Sequence, residues 1–586
     1  MGVFELHDSK TVMEAPGNSL TDRDVLVIDC QTTGATPRSG RLLEVGWAVA
    51  KPSIGRPASP ETYLIRSPDD ENHPPIIDKL TGIRPEEMVG AKDARWVWQR
   101  LEEKAREVGQ RSGSPCVAVI HYARFELAFL HAWHSESAPA IPFPFETICT
   151  HEIARRLHPA LPRCGLKALA GYFGMGLPAE KRCAPHVAAT ELIWRQLVVR
   201  LEAEGITSFA DLKQWMKATP RPARQPRVYP MPPSLLSRVP DRPGVYRFRR
   251  VNGDALYVGK AKSLKNRVGT YFQPRRRHPE HILEMLTQAV DFDYAPTATA
   301  LEAALQEAED IHRLAPDYNI QLQIGDQPPV FSSRDFQLME ASVDTSLPMG
   351  PFPSQQALQP MASLVKYLSC PPTPQTGDAE CLTRNFNCPR DLMPSMDLFS
   401  EGLALFSRLN DLPDEPTPLA RRLLMRGAYW WRVAQEAVEK PDTQGDAEDS
   451  SEAIWTLEDV VAFCESVACR GAFLVRRGQW FKLLSEATLA WETPHRGETL
   501  RMVAIRGGQV TPLPSPSSWD AVSSPRGHRL APIQHRACFD GAVYTRMRVL
   551  TTEIRRLVAE GRRVKIYWRP GVNLDQSALA RLFSLI

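Results

Sequence analysis

Gly244-Val245-Tyr246-Arg247-Phe248-Arg249 and Ala255-Leu256-Tyr257-Val258-Gly259 flank Asn252-Gly253-Asp254. Two short β-prone runs around an Asn-Gly pair predict a β-hairpin, because that pair tolerates the left-handed backbone of a tight turn. Outward from the hairpin, Lys262–Tyr271 reads as a helix. Leu301–Leu314 reads as a longer one, opening after a Thr-rich turn. Residues 236–325 therefore form one compact unit of strands and helices. Between Arg238 and Arg277 there are 12 Lys/Arg and 2 Asp/Glu, a local net of +10. Such a cluster is the footprint of phosphate binding. Arg247, Arg249, Lys262, Lys265 and the run Arg275-Arg276-Arg277 are the expected DNA contacts, positioning the backbone without reading sequence.

The same stretch carries a chemical set. Phosphodiester hydrolysis needs a base for water, a metal for the phosphoryl oxygen and leaving group, and a cation for developing charge. Tyr246 and Tyr257 stand eleven residues apart, Lys260, Arg267 and Tyr271 follow, and Glu307 and Asn319 lie downstream. The phrases RPGVYRF, ALYVGKAKSLKNRV, LEAALQEAEDI and PDYNIQL, in that order over about 238–325, resemble the GIY-YIG nuclease domain. Within that class the stretch looks like the N-terminal domain of the excision-repair nuclease UvrC and its shorter relative Cho. The resemblance implies that Glu307 is the sole carboxylate ligand of a divalent metal, Mg²⁺ or Mn²⁺. It implies that Arg267 is the transition-state cation, and guanidinium suits phosphate. Tyr257 would be the general base if a metal-bound water and Lys260 lower its pKa from ~10. Tyr246 and Tyr271 would orient water or phosphate, and Asn319 would support the site. No position departs from the family pattern, so a competent nuclease is expected.

A second constellation lies upstream. Asp24–Asp29, Arg41–Ala50 and Cys116–Ile120 read as strands, and Arg124–Trp133 and Ala184–Glu202 as helices. Their alternation over 24–203 predicts a partly parallel sheet covered by helices. Asp29 and Gln31, two apart on a strand, face the same side. His121-Tyr122-Ala123-Arg124-Phe125-Glu126 follows, and then His186-x-Ala188-x-x-Glu191 on a helix. Five helical positions are about 140° apart, so His186 and Glu191 could both border a cleft without stacking. This ordered set resembles the DnaQ-like DEDDh exonucleases, which have an RNase H-like fold. Those enzymes use four carboxylates to hold two metals about 4 Å apart, with a His as base. Motif matching carries the metal-ligand role onto Asp29, Gln31, Glu126 and Glu191, and the base role onto His186. Gln31 replaces a Glu and removes one negative charge. Glu126 and Glu191 replace Asp, each displacing a carboxylate by more than about 1 Å at a site that tolerates little displacement. A weak or inactive exonuclease-like module is expected.

The remaining organisation follows from composition. The chain has 586 residues, 43% hydrophobic and 24% charged, with a net charge of +3 too small to name a partner. That is globular composition with room for several domains. No apolar run reaches the ~18 residues needed to span a bilayer, and Met1 to Leu20 has no apolar core of a signal peptide. Eleven Cys, an odd number, read as thiols of a reducing compartment. Prolines number 51 and concentrate in expected linkers, as at 215–235. The expected organisation is a tail at 1–22, the exonuclease-like domain at 23–205, a Pro-rich linker at 206–235 and the GIY-YIG domain at 236–325. An irregular Cho- or UvrC-like region at 326–438, an acidic linker at 439–453 and an α+β domain at 454–586 complete it. The fold class is thus multidomain α/β and α+β.

In the irregular region only Pro418–Val438, with Arg421-Arg422 and Trp430-Trp431, reads as a helix, amphipathic and core-facing. Gly471–Leu474, Trp480–Leu484 and Leu500–Ile505 look like strands, and Val543–Trp568 a closing helix and strand. Cys370, Cys381 and Cys388 fall one short of the Cys₄ set of an iron–sulfur cluster, with Leu392 at the fourth position, so a cluster is not expected. The two resemblances together imply an excision-repair endonuclease making one metal-dependent single-strand incision in DNA. A UvrB-type loading partner, no membrane, and a cytoplasmic, nucleoid-associated location are implied as well. The alternatives are a proofreading-type 3′–5′ exonuclease whose GIY-YIG domain only binds DNA, and a non-catalytic repair scaffold.

Overall fold

The structure is a computed structural model and describes residues 19–55, 59–66, 75–112, 115–220, 225–273, 277–319, 328–343, 346–370, 379–386, 393–438, 455–493, 500–522, 539–569 and 572–583. The chain divides into two compact units. One comprises residues 1–242, 246–295 and 314–319, the other residues 243–245, 296–313 and 320–586.

In the first unit five strands, β1 (Val25–Thr32), β2 (Leu42–Ala50), β3 (Glu61–Leu64), β4 (Cys116–Ile120) and β5 (Phe145–Cys149), form a sheet in the order β3-β2-β1-β4-β5. β1 pairs antiparallel with β2 and parallel with β4, and β5 is parallel to β4. Its central strand is buried on both faces, as parallel strands are. Val25 and Val27 enter one core together with Val187 and Leu197 of helix Cys183–Ala203. Leu26, Ile28 and Cys30 enter a second core with Trp98 and Leu101 of helix Ala94–Ser112. Asp29 and Gln31 continue the first of these faces, toward the carboxyl end of β1. His121 follows β4 directly. Side chains gathered at the carboxyl ends of parallel strands line the natural crevice of such a sheet.

Helix Phe209–Ala218 stands inside the stretch expected to be spacer. Ser208 caps it, its hydroxyl accepting from Asp211 N while Asp211 accepts from Ser208 N, both at 3.1 Å. Phe209 and Leu212 are buried in the first core. The prolines begin only at Pro220, beyond the helix, so they do not oppose it.

The hairpin forms as expected: β6 (Gly244–Arg249) lies between β7 (Ala255–Ala261) and β8 (Asp291–Pro296). Gly253 supplies the turn at φ 89°. Helices Leu264–Gly269 and Glu280–Gln288 accompany this sheet. Gly171 of helix Leu166–Tyr172 lets the two modules meet, since a Cβ there would fall 1.8 Å from Gln288 Oε1.

In the second unit, helix Ala300–Leu314 carries Glu307. Strands β9 (Val330–Ser332), β10 (Met339–Ala341) and β11 (Met349–Phe352) make a small sheet in the order β10-β9-β11. The region expected to be irregular holds helices Gln355–Ser369, Met396–Asn410 and Pro416–Val438, which share a core with helix Leu457–Leu484. Leu419, Ala420 and Leu423 face that core, the amphipathic reading of the Trp430-Trp431 helix. The strand-like runs Gly471–Leu474 and Trp480–Leu484 are instead parts of helix Leu457–Leu484. Its 28 residues satisfy their backbone within the helix, and Val475, Trp480 and Phe481 are buried along it. Short apolar runs do not separate buried helix from strand. Strands β12 (Thr488–Glu492), β13 (Leu500–Arg506), β14 (Gln509–Leu513), β15 (Val564–Arg569) and β16 (Val572–Leu574) pair antiparallel in the order β14-β13-β12-β15-β16. Helix Gly541–Ala559 shares a core with this sheet. Among the described residues no helix is long and apolar enough to cross a membrane.

Candidate active site

The hairpin brings its tyrosines together. Tyr246, fully buried on β6, shares a hydrogen bond with Tyr271, hydroxyl to hydroxyl at 3.0 Å. Arg267 Nε donates to the Tyr246 hydroxyl at 3.3 Å, and the same guanidinium lies 5.5 Å from the centre of the Tyr271 ring. The Tyr246 and Tyr257 rings are 6.0 Å apart. Gly259 makes this possible: a Cβ there would fall 2.6 Å from Tyr246 Cζ and 2.7 Å from Tyr257 Cε1. Burial, and then the neighbouring Tyr271, push the Tyr246 hydroxyl well above the ordinary tyrosine range. It therefore stays protonated and can donate or relay a hydrogen bond, not act as base. Tyr246, ahead of the opposing effect of burial, raises the Arg267 pKa and keeps its charge in place. Half-buried Tyr257 borders this group, and Lys260 is exposed on the same strand.

Asn319 clamps β7. Its amide oxygen accepts from Val258 N at 2.8 Å and its amide nitrogen donates to Val258 O at 2.7 Å. It thereby holds the strand between Tyr257 and Gly259. Glu307 belongs to the second unit, where its side chain is buried on helix Ala300–Leu314.

The basic residues divide. Lys262, Lys265 and Arg277 are exposed. Arg275 and Arg276 lie outside the described residues. Arg247 and Arg249, expected among the DNA contacts, turn instead to Asp293 of β8. Alternation along β6 puts Tyr246 and Phe248 in the core and these two arginines on the other side, where Asp293 meets both. Cys370 is exposed at the end of helix Gln355–Ser369. Cys381 is on helix Ala379–Phe386, and Cys388 and Leu392 lie outside the described residues.

The upstream constellation closes on itself. Gln31 Nε2 donates to Asp29 Oδ2 at 2.7 Å and lies 3.2 Å from His186 Nδ1. His186 Nδ1 in turn lies 3.2 Å from Asp29 Oδ1. His186 is set there by the start of its helix: Glu44 accepts from Cys183 N at 2.9 Å, and Cys183 Sγ donates to the Asp29 carbonyl at 3.3 Å. Glu126 is buried, with Oε2 lacking any hydrogen-bond partner. Burial, and then the charge of Asp29, raise its pKa well above the carboxylate range. Glu191 is held by Arg195, one helical turn on, at 3.3 Å. His121, 2.9 Å from the Thr150 hydroxyl, is pushed down to about 3 by burial and by His151, and so is neutral.

This donor set does not fit two metals. A carboxylate only accepts hydrogen bonds, so Gln31 must present its NH₂ to Asp29 and cannot offer a cation its oxygen there. Glu126 favours its neutral form, and Glu191 is engaged by a guanidinium. Of the residues expected as metal ligands, Gln31 thus turns its amide nitrogen to Asp29 and Glu191 is paired with Arg195. Among the described residues no group of three or more His, Cys, Asp or Glu is placed to hold a metal ion.

Asp29, Gln31, Glu126 and His186 nonetheless line a cavity of about 1170 Å³. Its other walls carry basic and aromatic side chains together with two glutamates. Arg155, Arg163, Lys167 and Lys181 come from the first module, and Arg227 from the following segment. Tyr122 and Phe125 border it too, with Tyr122 in left-handed backbone at φ 61° and 5.1 Å from the His151 ring. Glu280 and Glu284 of helix Glu280–Gln288 complete the wall. Sequence reasoning missed the basic wall, because its residues come from separate segments that share no motif.

Residues 242–320 match the family model of the UvrC-like GIY-YIG domain. Upstream of this domain the chain carries a module of α/β fold. A protein of Mycobacterium tuberculosis (strain CDC 1551 / Oshkosh), provisionally named a bifunctional exonuclease/endonuclease, is 30% identical over 310 residues. The match covers 51% of this chain and 45% of that relative, so the chain spans less than half the relative's length. The Thermotoga maritima UvrC N-terminal GIY-YIG endonuclease domain, solved with magnesium bound, is 30% identical; the match covers 15% of this chain and all of that one, with a TM-score of 0.14. The nuclease domain of 3′hExo, a DEDDh family member bound to rAMP, is 13% identical, with 31% of this chain and 94% of that one covered and a TM-score of 0.26.

Proposed function

We propose that this protein is a DNA repair endonuclease that makes a single-strand incision through its GIY-YIG domain. The observation that carries the reading is the Tyr246–Tyr271–Arg267 group, hydrogen-bonded within the segment that matches the UvrC-like family. In this reading Tyr257, as the phenolate, accepts the proton of the attacking water. Arg267, held by Tyr246 and lying against Tyr271, faces the charge that develops on the phosphoryl oxygens. Tyr246 keeps its proton and orients the guanidinium. Asn319 fixes the strand that carries Tyr257. Glu307 fits as the residue that would hold Mg²⁺ or Mn²⁺, a hard oxygen donor suited to such cations. The bound cation supplies charge neutralisation at the cleaved phosphate.

The first module is a nucleic-acid platform in this reading. Its basic, aromatic-lined cavity suits a strand and its phosphates, while its acidic centre lacks the donors for metal-assisted hydrolysis. The domain organisation set out from the sequence belongs to the same proposal, with helix Phe209–Ala218 assigned to the first module. So do a UvrB-like loading partner and action in the cytoplasm at the nucleoid.

One assay tests this. Lesion-containing and plain duplexes, labelled at either end, are incubated with Mg²⁺ or Mn²⁺ and wild type, Glu307→Ala or Asp29→Ala protein. Internal nicks that disappear only with Glu307→Ala support the proposal. End-trimming that disappears with Asp29→Ala overturns the platform assignment.

A further inference from the structure

The second unit holds a group of arginines for which neither proposed site has a use. Arg477, on helix Leu457–Leu484, lies with its guanidinium 5.3 Å from the centre of the Phe481 ring. Phe481 packs edge-on against Tyr544 of helix Gly541–Ala559, ring centres 5.3 Å apart. Arg555, on that second helix, lies 5.4 Å from the Phe583 ring and donates to the Phe583 carbonyl at 3.2 Å. Phe583 meets Trp480, the residue three positions after Arg477, at 5.8 Å. Arg548 shares the Arg555 face of the helix, seven residues earlier. That spacing is about 10.5 Å along the axis.

These guanidiniums feel one another. Burial first, and then the charge of Arg477, lower the pKa of Arg555. Burial leads at Arg548 too, with Tyr544 opposing and Arg477 adding to the lowering. Among the described residues neither Arg477 nor Arg555 pairs with a carboxylate. Partly buried like charges are costly unless an opposite charge meets them. A guanidinium laid on an aromatic face can still turn N–H groups toward a planar, bidentate acceptor, and phosphate is the acceptor that suits it best.

We propose that Arg477, Arg548 and Arg555, on their floor of Phe481, Tyr544 and Phe583, form a binding site for the phosphate backbone of a nucleic-acid strand. The length of the group favours a polyanion over a single small anion. The site gives the C-terminal α+β region a role in holding the substrate, and it rests on the reading of the protein as a DNA enzyme.

The test uses the full chain. Binding of a fluorescent duplex is followed by anisotropy from low to physiological salt for wild type, Arg477→Ala/Arg555→Ala and Arg477→Lys/Arg555→Lys. Circular dichroism verifies folding of each variant. The alanine pair is expected to bind roughly tenfold more weakly and to lower the slope of log K against log salt by about 2. The lysine pair is expected to keep the slope, since it keeps the charges. A folded alanine pair with unchanged affinity and slope overturns this site and leaves the GIY-YIG proposal standing. Inorganic phosphate at millimolar concentration competing fully with the duplex overturns the backbone assignment in favour of a small anion. Wild type that binds no DNA at low salt overturns both proposals.

Discussion

The two nuclease-like centres of this chain have made opposite use of their polar side chains. At the GIY-YIG centre the groups support one another in one direction. Tyr246 and Tyr271 hold Arg267, Asn319 holds β7, and the charge of Arg267 is preserved. At the upstream centre the groups consume one another. The Gln31 amide is bound to Asp29, the Glu191 carboxylate to Arg195, and Glu126 is driven toward its neutral form. Both centres sit on well-packed sheets, so packing does not distinguish them. The fold does not by itself fix the chemistry, because burial of strands such as β1 depends on Val27 and Ile28 and not on the identity of residue 31.

That contrast can be broken most sharply at Glu307. Glu307→Ala is expected to lower single-turnover nicking by roughly a thousandfold, measured on end-labelled duplex with Mg²⁺. Retained nicking would mean that cleavage does not depend on this carboxylate. Arg267→Ala is expected to cost roughly a hundredfold in the same assay, with DNA affinity changed by only a few-fold, since the cation acts mainly on the transition state. A loss confined to affinity would turn Arg267 into a binding residue.

Gly259→Ala sharpens the comparison through packing. Its Cβ would land within 2.7 Å of both Tyr246 and Tyr257, and overpacking of this kind costs about 1–3 kcal/mol. Denaturant melts should report that loss, and nicking should fall with it as the tyrosines are displaced.

Glu126 gives the pH-dependent prediction. Its pKa is raised in the folded protein, so the unfolded chain releases this proton first as pH rises. Its contribution to stability is therefore fully present below the ordinary carboxyl pKa of about 4.3 and is lost as pH rises through the folded value. Glu126→Gln, which cannot ionise, is expected to melt a few degrees higher than wild type at pH 8 and no higher at pH 4. An equal difference at both values would show that ionisation of Glu126 is not the cause.

The smallest effect belongs to Asp29. Asp29→Ala is expected to leave nicking within about twofold, and Gln31→Glu to leave it there as well, because neither residue belongs to the GIY-YIG centre. A tenfold drop in nicking with folded Asp29→Ala protein would show that the two centres are coupled.

Much of the GIY-YIG centre was legible because it is local. Tyr246, Tyr257, Arg267 and Tyr271 fall within 26 consecutive residues around a hairpin whose Asn252-Gly253 turn announces itself. β4, at Cys116–Ile120, has the limits read from its apolar run. Helix Phe209–Ala218 was hidden by the prolines that follow it, although Ser208 and Asp211 are a capping box in plain view. The long helix Leu457–Leu484 was broken into strand-like pieces, because short apolar runs such as Gly471–Leu474 and Trp480–Leu484 do not by themselves separate buried helix from strand.

Residue types, their order and their short-range spacing decided that this chain carries a hairpin-borne set of tyrosines beside an arginine, and a sheet bearing Asp29 and Gln31 on one face. Those are matters of covalent geometry and local periodicity, which one-dimensional order determines. Tertiary structure alone decided what each polar group is bound to: that Arg247 and Arg249 answer Asp293, that the Gln31 amide faces Asp29 and His186, and that Arg555 lies on the Phe583 ring. Hydrogen bonds, desolvation and charge coupling act over a few ångströms of space and take no account of distance along the chain.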